Sequence, residues 1–285
     1  MKQLTILYLM CAVLSALSAK AASAAKMAAD GLDVSVISNE YGRVVISLEG
    51  ARIMSWRDRM GQELLFMPDK KTADGQDWSH GGIPICWPWF GRQADVIHGF
   101  VRTKRFSVRR QTTDGVSLRY SLSVNEETSF PYAADLDVEI QLKDTLLIVM
   151  RTRNTGKEAF AYTCGIHPYF AVTGYSGLSF DGVEAKPFDC VDGMDKAFSR
   201  TTDGSFSVTD KVLKQTFSMR ADGNSHVIVW TPGTVEPSNR NLKPDDMTKF
   251  IGFGPAFTKS AEAVVLKPGE SHELSLRVSH SRQRD

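Results

Sequence analysis

Between Trp78 and Arg102 the chain abandons any regular pattern. It reads Trp78-Ser79-His80-Gly81-Gly82-Ile83-Pro84-Ile85-Cys86-Trp87-Pro88-Trp89-Phe90-Gly91, and then His98-Gly99-Phe100-Val101-Arg102. Three tryptophans, two prolines and three glycines in the first fourteen of these residues are more than a connector needs. Aromatic rings on a rigid backbone suit a concave site for a sugar. The C–H faces of a pyranose stack on rings, while its hydroxyls require fixed polar partners. The competing reading is a core plug in which Trp87 and Trp89 bury large areas, and for either Trp alone that is the commoner outcome. With His98 and Arg102 at its end, the whole segment reads as a site. A second histidine stands in Gly165-Ile166-His167-Pro168-Tyr169-Phe170. Amid Ile166, Tyr169 and Phe170, a lone histidine is more often a hydrogen-bonded core residue than a catalyst.

The rest of the chain supplies strands to position these residues. Leu136, Val138, Ile140 and Leu142 alternate with Asp137, Glu139 and Gln141, a period of two that buries one face of a sheet. Leu274, Leu276 and Val278 alternate with Ser275 and Arg277 in the same way. Leu146 to Met150 is a continuous apolar run, which predicts a strand covered on both faces. Further strands are expected at 33–38, 43–48, 116–123, 226–231 and 263–267. Asp114-Gly115, Asn154-Thr155-Gly156, Asp203-Gly204, Asp222-Gly223 and Pro268-Gly269 supply turns between strands. No segment after residue 30 offers a long amphipathic helix. The expected architecture is all-β, a large and mostly antiparallel sandwich. No repeat or composition break divides residues 30–281, which read as a single domain.

Bulk properties narrow the partners. The 285 residues are 42% hydrophobic and carry a formal net charge of +1, without a Lys/Arg run resembling a nucleic-acid footprint. A small, weakly charged ligand fits better than nucleic acid. Lys2, the apolar run Leu4–Leu17 and Ala22-Ser23-Ala24 read as a cleavable export signal over 1–24, too short to span a bilayer. That predicts a periplasmic or secreted protein, whereas a start at Met27 would make it cytoplasmic. No other membrane-length segment is present. Without the signal, Cys86, Cys164 and Cys190 remain; the odd count makes no disulfide framework and the spacing fits no zinc pattern. Three buried thiols are expected, the alternative being one disulfide with a spare thiol.

The run Gly-Gly-Ile-Pro-Ile-Cys-Trp-Pro-Trp-Phe-Gly (81–91) followed by His-Gly-Phe-Val-Arg (98–102) resembles the signature of the hexose-6-phosphate mutarotases, within the aldose 1-epimerase superfamily. Gly50-Ala51-Arg52-Ile53-Met54-Ser55-Trp56 is similar to an early strand of that family, and 165–170 to its catalytic-histidine strand, which usually has Thr where Pro168 stands. Phe188-Asp189-Cys190-Val191-Asp192, Thr209-Asp210-Lys211-Val212 and Val229-Trp230-Thr231-Pro232 resemble later parts, so the similarity covers roughly residues 33 to 279. The resemblance implies a galactose-mutarotase-like β-supersandwich.

It also implies a chemistry, the interconversion of α and β anomers of an aldohexose or hexose phosphate without metal or cofactor. An acid protonates the ring oxygen while a base removes the anomeric proton; the C1–C2 bond rotates and the ring closes on its other face. By the resemblance His167 is the acid and His98 and Arg102 contact the sugar, with Asp210 matching an Asp near the catalytic histidine. Trp87 and Trp89 are the expected stacking platform. The family's base is a Glu on a late strand reading roughly Phe-Val-Cys-Val-Glu-Pro; aligning Phe250 and Pro255 puts Gly254 in its place. Glu262, Asp189 and Asp210 are the carboxylates to examine as substitutes. His80 stands where the family commonly has Arg, which weakens the case for a phosphate. The alternatives are a non-enzymatic carbohydrate-binding protein of the cell envelope and an envelope scaffold.

Overall fold

The computed structural model describes residues 32–69, 80–93, 96–233, 242–258 and 263–283. The expected signal at 1–24, the alternative start Met27, Trp78 and Glu262 lie outside the described residues. The chain runs through β1 (Val34–Asn39), β2 (Gly42–Ser47), β3 (Ile53–Asp58), β4 (Ile85–Cys86), β5 (Ser107–Gln111), β6 (Gly115–Leu122) and β7 (Ala134–Leu142). It continues through β8 (Leu146–Asn154), β9 (Phe160–Tyr162), β10 (Gly165–Ile166), β11 (Tyr169–Ala171) and β12 (Leu178–Asp181). After the short helix α1 (Pro187–Val191) come β13 (Met194–Ser199), β14 (Ser205–Asp210), β15 (Gln215–Asp222) and β16 (His226–Thr231). Last are β17 (Phe250–Ala256), β18 (Val264–Leu266) and β19 (Ser271–Arg282). The all-β expectation holds.

Eight strands form one antiparallel sheet in the order β12-β14-β15-β19-β8-β7-β6-β5. A second antiparallel sheet runs β13-β16-β17-β10-β4, with β11 also paired to β17. The alternation in β7 is realised: Leu136, Val138, Ile140 and Leu142 are buried while Glu139 and Gln141 face solvent. The expectation for Leu146–Met150 is corrected. Within Leu146–Met150 only Leu146, Ile148 and Met150 are buried; Leu147 and Val149 are half-buried, opposite Gln141 and Glu139 of β7. Apolar residues there make a one-sided strand, because the neighbouring strands show polar residues on that face. Among the described strands of more than two residues, those buried along their whole length are β2 and β17. Cys86, Cys164 and Cys190 are free, buried thiols, as expected.

The second sheet builds the site through the two faces of β17. Ile251 and Phe253 point toward the larger sheet, where the Phe253 ring packs on Phe206 at 5.0 Å and Phe180 at 5.8 Å. Phe250, Gly252 and Gly254 point the other way. The register that pairs Gly165 with Ala256 and Tyr169 with Gly252 brings Gly254 opposite His167. The two backbones approach closely here. A Cβ added at Gly254 would lie 2.3 Å from the Ile166 carbonyl oxygen and 2.5 Å from Pro168 Cδ. Neither atom belongs to a flexible side chain, so the backbone itself would have to move.

Gly254→Ala should therefore destabilise the fold by ~1–3 kcal/mol, as overpacking does. Urea unfolding checks this: the midpoint falls while the m-value stays constant. A variant as stable as the parent would contradict the close approach.

Candidate active site

His167 follows β10 directly. Its backbone N–H donates to the Pro84 carbonyl at 3.3 Å, tying the histidine to the aromatic segment across the sheet. The imidazole is 3% exposed and lies over β17, where the absent side chain of Gly252 makes room for it. A Cβ at 252 would stand 2.9 Å from His167 Nε2. Around the ring pack Tyr169 at 4.9 Å, Phe90 at 5.7 Å and His98 at 6.2 Å between centroids. Burial among these groups, together with the neighbouring His98 and His80 acting as positive charges would, lowers its pKa to about 3. His167 is thus a neutral imidazole near pH 7. Its Nδ1 has no hydrogen-bond partner among the described residues.

The imidazole borders a cavity of 630 Å3, a size usual for small-molecule sites. His80, His98, Arg92, Arg102, Tyr169 and Trp230 also line it. His98 is held in a left-handed conformation (φ 64°). Its backbone N–H donates to the Gly91 carbonyl at 2.9 Å, and its Nδ1 accepts from the Gly91 N–H at 3.0 Å. With Nδ1 an acceptor, the proton of the neutral form of the ring sits on Nε2. His80 stacks on the half-buried Trp230 at 4.8 Å, and both residues line the cavity.

Of the residues expected at the site, the structure brings together His167, His98 and Arg102. Trp87 and Trp89 do not line the cavity. Trp87 is fully buried and its indole N–H donates to Thr152 Oγ1 at 3.1 Å. Trp89 donates to the Val96 carbonyl at 2.8 Å, and the Phe100 ring packs edge-on to both indoles. Both are buried, Trp87 with its N–H bonded inside the sandwich and Trp89 with its N–H tied to the 96–98 loop; Trp230 is the indole that lines the cavity. Asp210 is likewise corrected. It is 2% exposed, and its carboxylate accepts from the Thr173, Val212 and Leu213 N–H groups at 2.8, 2.9 and 3.1 Å, which makes it the cap of a turn after β14. Asp189 lies on α1, 3.8 Å from Lys196, and does not line the cavity either.

One carboxylate does line it among the described residues: Asp195 on β13. Sequence reading passed over this residue. The only local signal was a polar residue after the buried Met194, which any edge strand displays.

Comparison with known proteins agrees with this architecture. The family model for aldose 1-epimerase matches residues 33–187, more than half of the chain. A relative in Escherichia coli named "Putative glucose-6-phosphate 1-epimerase" is 25% identical over 274 residues, covering 88% of this chain and 92% of that protein. One of the same name in Salmonella typhimurium is 26% identical over 238 residues, covering 76% and 80%. Among solved structures, "a putative mutarotase" from Salmonella typhimurium superposes with a TM-score of 0.75 at 20% identity, covering 88% of this chain and 91% of that one. A galactose mutarotase-like protein from Lactobacillus casei gives a TM-score of 0.72 at 15% identity, covering 87% and 100%. The structural likenesses identify a galactose-mutarotase-like fold. The matched family model goes further: this chain belongs to the aldose 1-epimerase family, whose chemistry is the interconversion of sugar anomers.

Proposed function

We propose that this protein interconverts the α and β anomers of a phosphorylated aldohexose in the cavity beside His167. The observation that carries the reading is a buried imidazole with an unpartnered nitrogen, bordering a sugar-sized cavity that Trp230 and two arginines also line. Family membership favours turnover over binding alone. Arg92 and Arg102 favour an anionic sugar over a neutral one, since a guanidinium fork pairs with phosphate oxygens. The named function of the relatives, a glucose-6-phosphate 1-epimerase, points the same way. His80 in the place of a family Arg does not empty the cavity of cations.

The charge of the substrate has a second role in this reading. A neutral imidazole with a pKa of about 3 is a poor proton donor near pH 7. An opposite charge brought into the same low-dielectric site favours the imidazolium. A bound sugar phosphate therefore recruits the proton that His167 hands to the ring oxygen. His98 donates from Nε2 to a sugar hydroxyl, and the ring lies against Trp230.

In a coupled mutarotation assay with freshly dissolved sugars, α-glucose 6-phosphate should interconvert far faster than in buffer, ahead of glucose and galactose. His167→Ala should lower kcat by ~10²–10⁴-fold, the usual worth of a placed acid or base. Rates equal to buffer for all three sugars would remove the reading.

The recruited proton makes a separate prediction. The pKa of His167 is about 3 without ligand and higher with a bound anion, so binding takes up a proton between those two values. Affinity should strengthen as pH falls through the ligand-bound pKa. Glucose 6-sulfate tests this, because its charge does not titrate in that range. His80, His98, Tyr169, Asp195, Arg92 and Arg102 also face the cavity, so the quantity to measure by calorimetry is the difference between wild type and His167→Gln. Equal pH dependence in the two proteins would contradict proton recruitment at His167.

A further inference from the structure

The family reaction needs a base as well as an acid, and the backbone at Gly254 leaves no room for a carboxylate beside His167. We propose that Asp195 is the catalytic base, approaching the sugar from the opposite side of Trp230. This rests on the functional reading above and adds a residue to it.

The sheet register carries the argument. Asp195 of β13 is directly opposite Trp230 of β16, Trp230 is opposite Gly252 of β17, and Gly252 is opposite Tyr169 of β11. Residues in one such row project from the same face of a sheet. Asp195, Trp230 and Tyr169 all line the cavity, and the direction a side chain would take from Gly252 leads to His167 Nε2. With neighbouring strands ~4.8 Å apart, Asp195 and Gly252 are ~9.5 Å apart across the sheet. In that row Trp230 stands between Asp195 and the glycine over which the imidazole lies. A pyranose lying on that indole, with one hydrogen bond at each end, bridges the two groups. No other carboxylate lines the cavity among the described residues. The Asp195 side chain is exposed, and no hydrogen bond or ion pair occupies it among the described residues, so both oxygens are open to accept a proton.

The proton balance closes with these two residues. Asp195 carboxylate takes the proton from the anomeric O1. The C1–O1 bond becomes a carbonyl as the C1–O5 bond breaks, and O5 takes the proton from the His167 imidazolium. After rotation about C1–C2, O5 returns its proton to His167 as it attacks C1 from the other face. Asp195 then gives its proton back to O1. Both residues end as they began, and no further reactant is consumed.

The test is Asp195→Asn, which keeps the shape and hydrogen-bonding capacity of the side chain but cannot take the proton. Kinetics with α-glucose 6-phosphate should show kcat down by ~10²–10⁴-fold, with KM little changed. The wild-type kcat should fall at low pH as a carboxylate protonates, and the variant should lack that limb. Asp195→Glu should recover part of the rate. Wild-type turnover with an unchanged kcat in Asp195→Asn would overturn this assignment alone, as would a raised KM at full kcat, which marks a hydroxyl anchor. Wild-type protein without turnover would overturn the functional reading and this assignment together.

Discussion

The site depends on a strand that gives up side chains where ordinary strands have them. Gly252 and Gly254 leave bare the face of β17 turned toward His167, and two different things occupy the space. At 252 it is the imidazole, which settles over the strand and becomes buried. At 254 it is backbone, the Ile166 carbonyl and the Pro168 ring pressed close. The first approach desolvates His167 and lowers its pKa; the second closes the position that a carboxylate could have used. A buried imidazole and a missing partner are thus consequences of one packing arrangement.

From this arrangement the rest of the chemistry takes its form. An imidazole held neutral needs a charge to become a donor, and an anionic sugar brings one. In the proposed reaction the base comes from further along the same row, where β13 carries Asp195 at the distance set by two strand spacings. Between them in the row stands Trp230, with His80 stacked on it at 4.8 Å. A sheet is well suited to this division of labour because register fixes which residues share a face, and inter-strand spacing fixes how far apart they are.

Much of the fold was legible because sandwich strands write burial into alternate positions, as in β7 and β19. The exception at Leu146–Met150 shows the limit: an apolar run does not reveal what the neighbouring strands place beside it. Of the site, His167, His98 and Arg102 were legible through their motif context. Trp87 and Trp89 were misplaced because aromatic content does not say which way a ring turns; both rings are buried, with their N–H groups bonded to Thr152 and to the Val96 carbonyl. Asp210 matched by type and spacing but caps a turn. Asp195 and Trp230 entered the cavity by cross-strand register, which joins residues 35 positions apart and leaves no mark in either segment alone.

The central claim is that a pyranose lies on Trp230 between His167 and Asp195. A crystal structure with 1,5-anhydroglucitol 6-phosphate, which keeps the ring oxygen but lacks the anomeric hydroxyl and cannot open, tests it most directly. The account predicts the ring over the Trp230 indole, O5 within hydrogen-bonding reach of His167, C1 turned toward Asp195 and the phosphate against Arg92 or Arg102. A sugar bound elsewhere, or one in this cavity with O5 turned away from the imidazole, would contradict it.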